Sequence, residues 1–268
     1  MCNSNRRNMK VAAFGDNCVD YYRNLEKWYV TGNVVDFAAN MQLQGVDTSV
    51  ITIAGTDKYG KDLIEKLQKL GVDTSHVHIK EGNTAFVELD LIAGERVYRS
   101  FEEGVMKTAE FSSEDVSFVK EHSLVHFGVW GHADRYIRDI HNAGIITSYD
   151  FATEGMEPKV KELLPHIDYA FFSFEKPDDA AMEYLESAVL AGAKYAIGTF
   201  GKDGSIVWDG KEFYHYGIVS TEVVNTVGAG DAFISGFLYG IIHGDPITEC
   251  QKRGAALAAK VISKFEPW

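Results

Sequence analysis

Hydrophobic positions along this chain fall into two alternating patterns. Short runs rich in β-branched and aromatic residues, Val11-Ala12-Ala13-Phe14-Gly15 and later Val50-Ile51-Thr52-Ile53-Ala54, carry little polar interruption and predict buried strands. After them, apolar residues recur at helical spacing: Phe37, Ala38 and Met41 within 36–44, stopped by Gly45, and then 59–70, ended by Gly71. Strand and helix pairs continue at 124–127 and 133–143, 145–149 and 157–164, and 169–172 and 178–191, with a last strand at 195–199. Ser112-Ser113-Glu114-Asp115 reads as a capped helix start. The alternation predicts an α/β fold with a mostly parallel central sheet flanked by helices. No repeat or low-complexity linker divides the chain, so 1–268 is read as a single domain.

Residues 84–101 break the pattern. Polar and apolar residues alternate from Thr84 to Ile92 and from Arg96 to Phe101, on either side of Ala93-Gly94-Glu95, which predicts a hairpin with one wet face. With strands from about 16–30 it would form a small antiparallel sheet serving as a lid. The same strands can equally be a dimerisation surface or a decoration.

The net charge of −13 disfavours a nucleic-acid backbone or an anionic membrane as partner. No run of about 18 apolar residues is present to span a bilayer. The polar, basic stretch from Met1 to Lys10 has no apolar signal core, so a cytoplasmic location is expected. Cys2, Cys18 and Cys250 lie far apart, make no CxxC pair, and suggest ordinary thiols. His76 and His78 would share one face of a strand, where packing or surface roles compete with metal binding.

Asn225-Thr226-Val227-Gly228-Ala229-Gly230-Asp231 carries the most specific chemistry. The apolar run Ile218, Val219, Val223 and Val224 leads into this small-residue turn, and an amphipathic helix starts on the acid. Backbone N–H groups of Gly228, Ala229 and Gly230 at a helix N-terminus suit a phosphate, and the Asp231 carboxylate beside them suits a base. A tight connection capped by Asp is the alternative reading. A P-loop motif is absent, and Gly228-Ala229-Gly230-Asp231-Ala232-Phe233 lacks the third glycine of a dinucleotide fingerprint. Larger side chains at Gly228 or Gly230 would obstruct the turn or the approach of backbone to phosphate. Gly236 and Gly240 are expected to let the helix pack tightly.

On this signature, with Thr31-Gly32-Asn33 and Thr199-Phe200-Gly201-Lys202-Asp203-Gly204-Ser205, the chain resembles the PfkB-type, ribokinase-like carbohydrate kinases over essentially its whole length. The resemblance implies a ribokinase-like fold and an ATP-dependent sugar kinase using Mg²⁺. It implies transfer to a primary hydroxyl, with Asp231 as base and the amides of 228–230 as anion hole. The stretches Gly15-Asp16-Asn17-Cys18-Val19-Asp20, Glu103-Gly104-Val105-Met106 and Trp130-Gly131-His132-Ala133 carry the narrower likeness that implies O6 of fructoselysine or a related fructosamine as the acceptor. Asp16, Gly32, Asn33, Asp36 and Glu103 would bind the sugar or sugar–amino acid, and Thr199, Gly201 and Gly204 the nucleotide. Trp130 is assigned to the core in preference to the ligand. A homodimer through the lid is also implied.

Four positions depart from the family pattern. Thr31 replaces a glycine, Asp36 an asparagine, and Asn225 the first aspartate of the signature, removing a charge near the anion site. The family's Asn-x-x-Glu is missing around Ser173-Phe174-Glu175-Lys176, which leaves the Mg²⁺ ligands unassigned. The alternatives are another sugar kinase of the family, such as a fructokinase, or a non-catalytic sugar-binding regulator of the same fold.

Overall fold

The computed structural model describes residues 9–92 and 95–268. Cys2, most of the basic N-terminal stretch and the expected turn at Ala93-Gly94 lie outside the described residues. β1 (Val11–Phe14) is followed by β2 (Cys18–Tyr22), β3 (Lys27–Thr31), α1 (Asn33–Leu43), β4 (Thr48–Gly55), α2 (Lys58–Leu70) and β5 (Asp73–Lys80). The hairpin strands are β6 (Phe86–Ile92) and β7 (Glu95–Glu102). Then come α3 (Ser113–Val119), β8 (Leu124–Gly128), α4 (Asp134–Asn142), β9 (Ile146–Asp150), α5 (Pro158–Leu163), β10 (Tyr169–Ser173), α6 (Asp179–Leu190) and β11 (Tyr195–Thr199). The chain closes with β12 (Ser205–Trp208), β13 (Phe213–Tyr216), α7 (Ala229–His243) and α8 (Ile247–Ile262).

The main sheet has nine strands in the order β13-β12-β11-β10-β9-β8-β1-β4-β5. It is parallel from β11 to β5, with β12 and β13 added antiparallel at one edge. Both faces are covered, which is why its strands read as continuous apolar runs. On β1, Ala12 and Phe14 pack with Ile137 and Ile140 of α4 and Leu185 of α6, whereas Val11 and Ala13 pack with Phe37 of α1, Leu63 of α2 and Phe237 of α7. The helices obey local rules. Asp57 caps α2 by accepting from the Gly60 amide, and Ser112 and Asp115 form a reciprocal capping box on α3.

The lid is a separate sheet in the order β3-β2-β6-β7. Its two hairpins are antiparallel inside, but they join through a parallel β2–β6 pair, which corrects the expectation of a wholly antiparallel sheet. Parallel pairing follows because β2 and β6 both leave the same end of the main sheet rather than a shared turn. A small core of Tyr22, Tyr29, Leu89 and Val227, with Phe265 against it, seats the lid. The stretch before α7 also differs from expectation. Ile218, Val219, Val223 and Val224 form no strand and are 40–56% exposed.

Candidate active site

The parallel strands end on one side of the main sheet, and the predicted residues collect there. Asp16 follows β1, Asp150 ends β9, Ser173 ends β10 and Thr199 ends β11. Ligands in open α/β sheets bind at this carboxyl edge. α7 begins at the same edge. Its N-cap Gly228 has φ +71°, and a Cβ there would lie 2.6 Å from Pro267 Cβ. Only glycine meets both demands.

A cavity of about 420 Å³ lies between lid and sheet, lined by Asp16, Gly32, Asn33, Asp36, Glu103, Gly228 and Asp231. A second, of about 460 Å³, is lined by Ser173, Thr199, Gly201, Gly204, Ala229 and Gly230. The Gly228–Asp231 turn is therefore shared. Gly228 and Asp231 face the lid-side cavity, and Ala229 and Gly230 face the other. The Ala229 amide has a long bond, 3.3 Å, to the Thr226 carbonyl. The exposed apolar residues Ile218, Val219 and Val223 wall the second cavity, which explains an apolar run with no strand.

Hydrogen bonds set each lid-side residue. Asp16 Oδ2 accepts the Asn33 amide at 2.9 Å, holding the start of α1, and the Asn33 side-chain amide donates to Asp150 Oδ2 at 2.6 Å. Gly32, at φ +127°, brings its Cα so close that a Cβ would sit 2.7 Å from Asn17 Cα. Both oxygens of Asp36 are engaged by protein, Oδ2 by the Thr31 hydroxyl at 2.6 Å and Oδ1 by the Trp268 indole N–H at 2.9 Å. Thr31 thus supplies a donor to Asp36, so the two positions expected to depart from the family pattern are joined by one hydrogen bond. Glu103 lies 2.6 Å from His132 Nε2 at the cavity rim.

The site gathers buried negative charge. Burial, then repulsion from Asp36, Asp150 and Asp16, pushes the Asp231 carboxyl well above the usual range. Burial also raises Asp36, against the hydrogen bonds from Thr31 and Trp268, and raises Asp16 against the amide bonds it accepts. Asp20 and Asp150 are each pushed up to about 6, again mainly by burial, with Arg96 opposing the shift at Asp20 and the Ala152 amide and Asn33 opposing it at Asp150. Asp16 Oδ1 and Asp231 Oδ1 are buried with no hydrogen-bond partner among the described residues. Orphaned oxygens and mutual repulsion suit a site that takes cations or hydroxyl donors.

Several contributors escaped the sequence reading. Asp150 was legible in principle, as an acid at the carboxyl end of a parallel strand. Arg96, Tyr98 and Phe101 reach the cavity only because the lid folds over it. Trp130, assigned to the core, is 54% exposed and lines the cavity. Asn225 is not beside the anion site. It is buried under the lid, where its amide donates to the Tyr22 hydroxyl at 3.0 Å and the Phe265 carbonyl at 3.0 Å. Glu175 is exposed and outside the lining of the second cavity.

A doubly covered parallel sheet, a β-lid and an acid at a glycine turn define the ribokinase-like class of α/β proteins. Solved structures agree on the fold. A ribokinase of Arabidopsis thaliana, complexed with ribose and ATP, superposes with a TM-score of 0.81 at 20% identity, over 94% of this chain and 91% of its own. A putative ribokinase II from E. coli, in complex with ATP and Mg²⁺, gives 0.81 at 18% identity, over 97% and 94%. Residues 31–267 match the profile of the pfkB family carbohydrate kinases, and the chain belongs to that family. It is 38% identical to a fructoselysine 6-kinase of Shigella flexneri over 96% of this chain and 99% of the relative. It is 33% identical to a fructosamine kinase of Bacillus subtilis (strain 168) over 96% and 92%.

Proposed function

We propose that this carbohydrate kinase transfers the γ-phosphoryl group of ATP to the primary O6 hydroxyl of fructoselysine or a closely related fructosamine. The observation that carries the reading is the acid-lined cavity ending on Asp231, in a chain similar to two relatives named for that substrate class. A fructosamine joins a hydroxyl-rich sugar to an ammonium group. Asp16, Asp20 and Glu103 supply acceptors of the kind such a ligand needs, and Asp16 Oδ1 has no partner among the described residues.

In this reading the sugar hydroxyl attacks the γ-phosphorus as the bond to the β,γ-bridging oxygen breaks and ADP leaves. Asp231 orients the hydroxyl and takes its proton late, since a carboxylate cannot deprotonate an alcohol beforehand. Its raised affinity for protons suits that role. The amides of Gly228 to Gly230 offset the charge on the transferred group. Thr199, Gly201 and Gly204 line the nucleotide side. Among the described residues the nucleotide-side lining contains no carboxylate, but Asp231 follows Gly230 of that lining and is repelled by the buried Asp150, and this fits a metal carried in on phosphate oxygens. Those two acids would hold Mg²⁺ through water, and when bound the ion neutralises the phosphates and the acids together.

Turnover with fructoselysine, fructose and ribose under MgATP tests the reading, with the phosphorylated carbon located by NMR. Fructoselysine 6-phosphate as the favoured product supports it. Preference for a free sugar makes the chain a different kinase of the family, and sugar binding without ADP release makes it a regulator.

A further inference from the structure

Far along the sheet from the kinase cavity, the edge strand β5 and the first turn of α3 bring three metal-ligating side chains to one point. His76 Nδ1 and His78 Nε2 both lie against the same oxygen of Asp115, at 2.7 and 2.8 Å from Oδ1. The donor atoms all fall within 4.8 Å of one another. We propose that His76, His78 and Asp115 form a binding site for a borderline divalent cation, specifically Zn²⁺, separate from the Mg²⁺ of the kinase reaction.

The residues and their supports match what such a site requires. Two imidazoles and a carboxylate favour Zn²⁺ over Mg²⁺ or Ca²⁺, which prefer oxygen alone. The spacing i,i+2 on a strand sends both rings to one face. Asp115 is buried, and its second oxygen is taken by the Ser112 amide at 2.7 Å and the Ser112 hydroxyl at 2.9 Å, which aims Oδ1 at the histidines. Ligand carboxylates are oriented by outer hydrogen bonds of this kind. The His76 ring is fixed by stacking on Phe118, centroids 3.9 Å apart and planes 14° off parallel. The His78 side chain is 46% exposed, leaving an entry path and room for water as a further ligand. Tetrahedral zinc bonds of about 2.0–2.2 Å set ligand atoms about 3.3–3.5 Å apart, so each histidine nitrogen must move away from Asp115 Oδ1 by about half an ångström or more from its present 2.7 or 2.8 Å. Three protein ligands make an exchangeable site, which would fasten β5 to α3.

The test uses full-length protein without a histidine tag, stripped with chelator, and Zn²⁺ alone as the probe. Calorimetry is expected to show one equivalent bound, and the melting temperature to rise with Zn²⁺. His78→Ala or His78→Gln, at an exposed position, is expected to weaken binding at least tenfold and abolish the thermal shift, leaving zinc-free kinase turnover unchanged. Co²⁺ should give visible absorption bands in the wild type that both variants lose. Zinc binding that survives both substitutions, or that MgATP displaces, places the ion in the acidic kinase cavity and overturns the proposal. So does absence of binding to the wild type, which leaves the trio as a hydrogen-bonded cluster.

Discussion

Gly228 and Gly230 are two residues apart in one turn but answer to different constraints. Gly228 needs its left-handed backbone and its clearance from Pro267, whereas a Cβ at Gly230 meets no protein atom within 4 Å. Gly228→Ala is therefore expected to destabilise the fold by about 1–3 kcal/mol, seen as a lower denaturation midpoint. Gly230→Ala should fold as the wild type and lose turnover, because its methyl enters the nucleotide-side cavity. Equal stability loss in both would remove the distinction. Asp231→Asn should lower kcat by about 10²–10⁴-fold while ATP still binds, measured by steady-state kinetics and calorimetry. Since burial and neighbouring acids raise Asp231, kcat/KM of the wild type should climb with pH through a window above the ordinary carboxylate range. A profile flat from pH 5 upward would contradict the base. Asn225 is a donor under the lid, and Asn225→Asp would set a carboxylate against the Phe265 carbonyl. A cost of about 1–3 kcal/mol is expected in chemical denaturation.

Among the elements, α7 does two jobs through one packing device. A Cβ at Gly236 would lie 2.6 Å from the Arg253 carbonyl of α8, and one at Gly240 would lie 2.7 Å from Cys250 Sγ. The tight packing expected of these glycines is what the structure shows, and it fixes the direction in which α7 presents its N-terminus. The lid acts differently. Val87, Arg96, Tyr98 and Phe101 bring β6 and β7 into the lining of the lid-side cavity, which Trp130 also lines. Trp130→Ala should raise KM for the sugar several-fold and leave KM for ATP unchanged, since Trp130 lines only the sugar-side cavity. An effect confined to ATP would place it elsewhere.

For the whole molecule, the buried acids tie stability to pH with an unusual sign. Between about pH 4, where unfolded aspartates ionise, and about pH 6, the native protein keeps protons on Asp20 and Asp150 that the unfolded chain releases. Native stability therefore falls as pH rises through that window. Asp115 works in the opposite sense, but its contribution is complete by about pH 5. Asp150→Asn should gain melting temperature on the wild type between pH 5 and pH 7, by on the order of 2–4 °C per kcal/mol. A constant difference across that range would show that Asp150 ionises normally.

Local pattern determined the strands, most helices and the glycine turn at 228–231, because periodicity and small-residue turns are properties of neighbouring residues. The 228–231 turn could be singled out in that way, whereas Asp16, Gly32, Asn33, Asp36, Glu103, Thr199, Gly201 and Gly204 come from the resemblance to the kinase family, and all line one of two adjoining cavities. Other features needed the third dimension. The parallel β2–β6 pairing and the reach of Arg96, Tyr98 and Trp130 depend on how the lid lies over the sheet. The tie between Thr31, Asp36 and Trp268 joins residues far apart in the chain. The convergence of His76 and His78 on Asp115 needs an edge strand and a helix cap to meet. Repulsion among Asp16, Asp36, Asp150 and Asp231 likewise arises only once four separate strand and helix ends are buried together, since the Coulomb energy of a pair depends on separation and on exclusion of water, and chain order specifies neither.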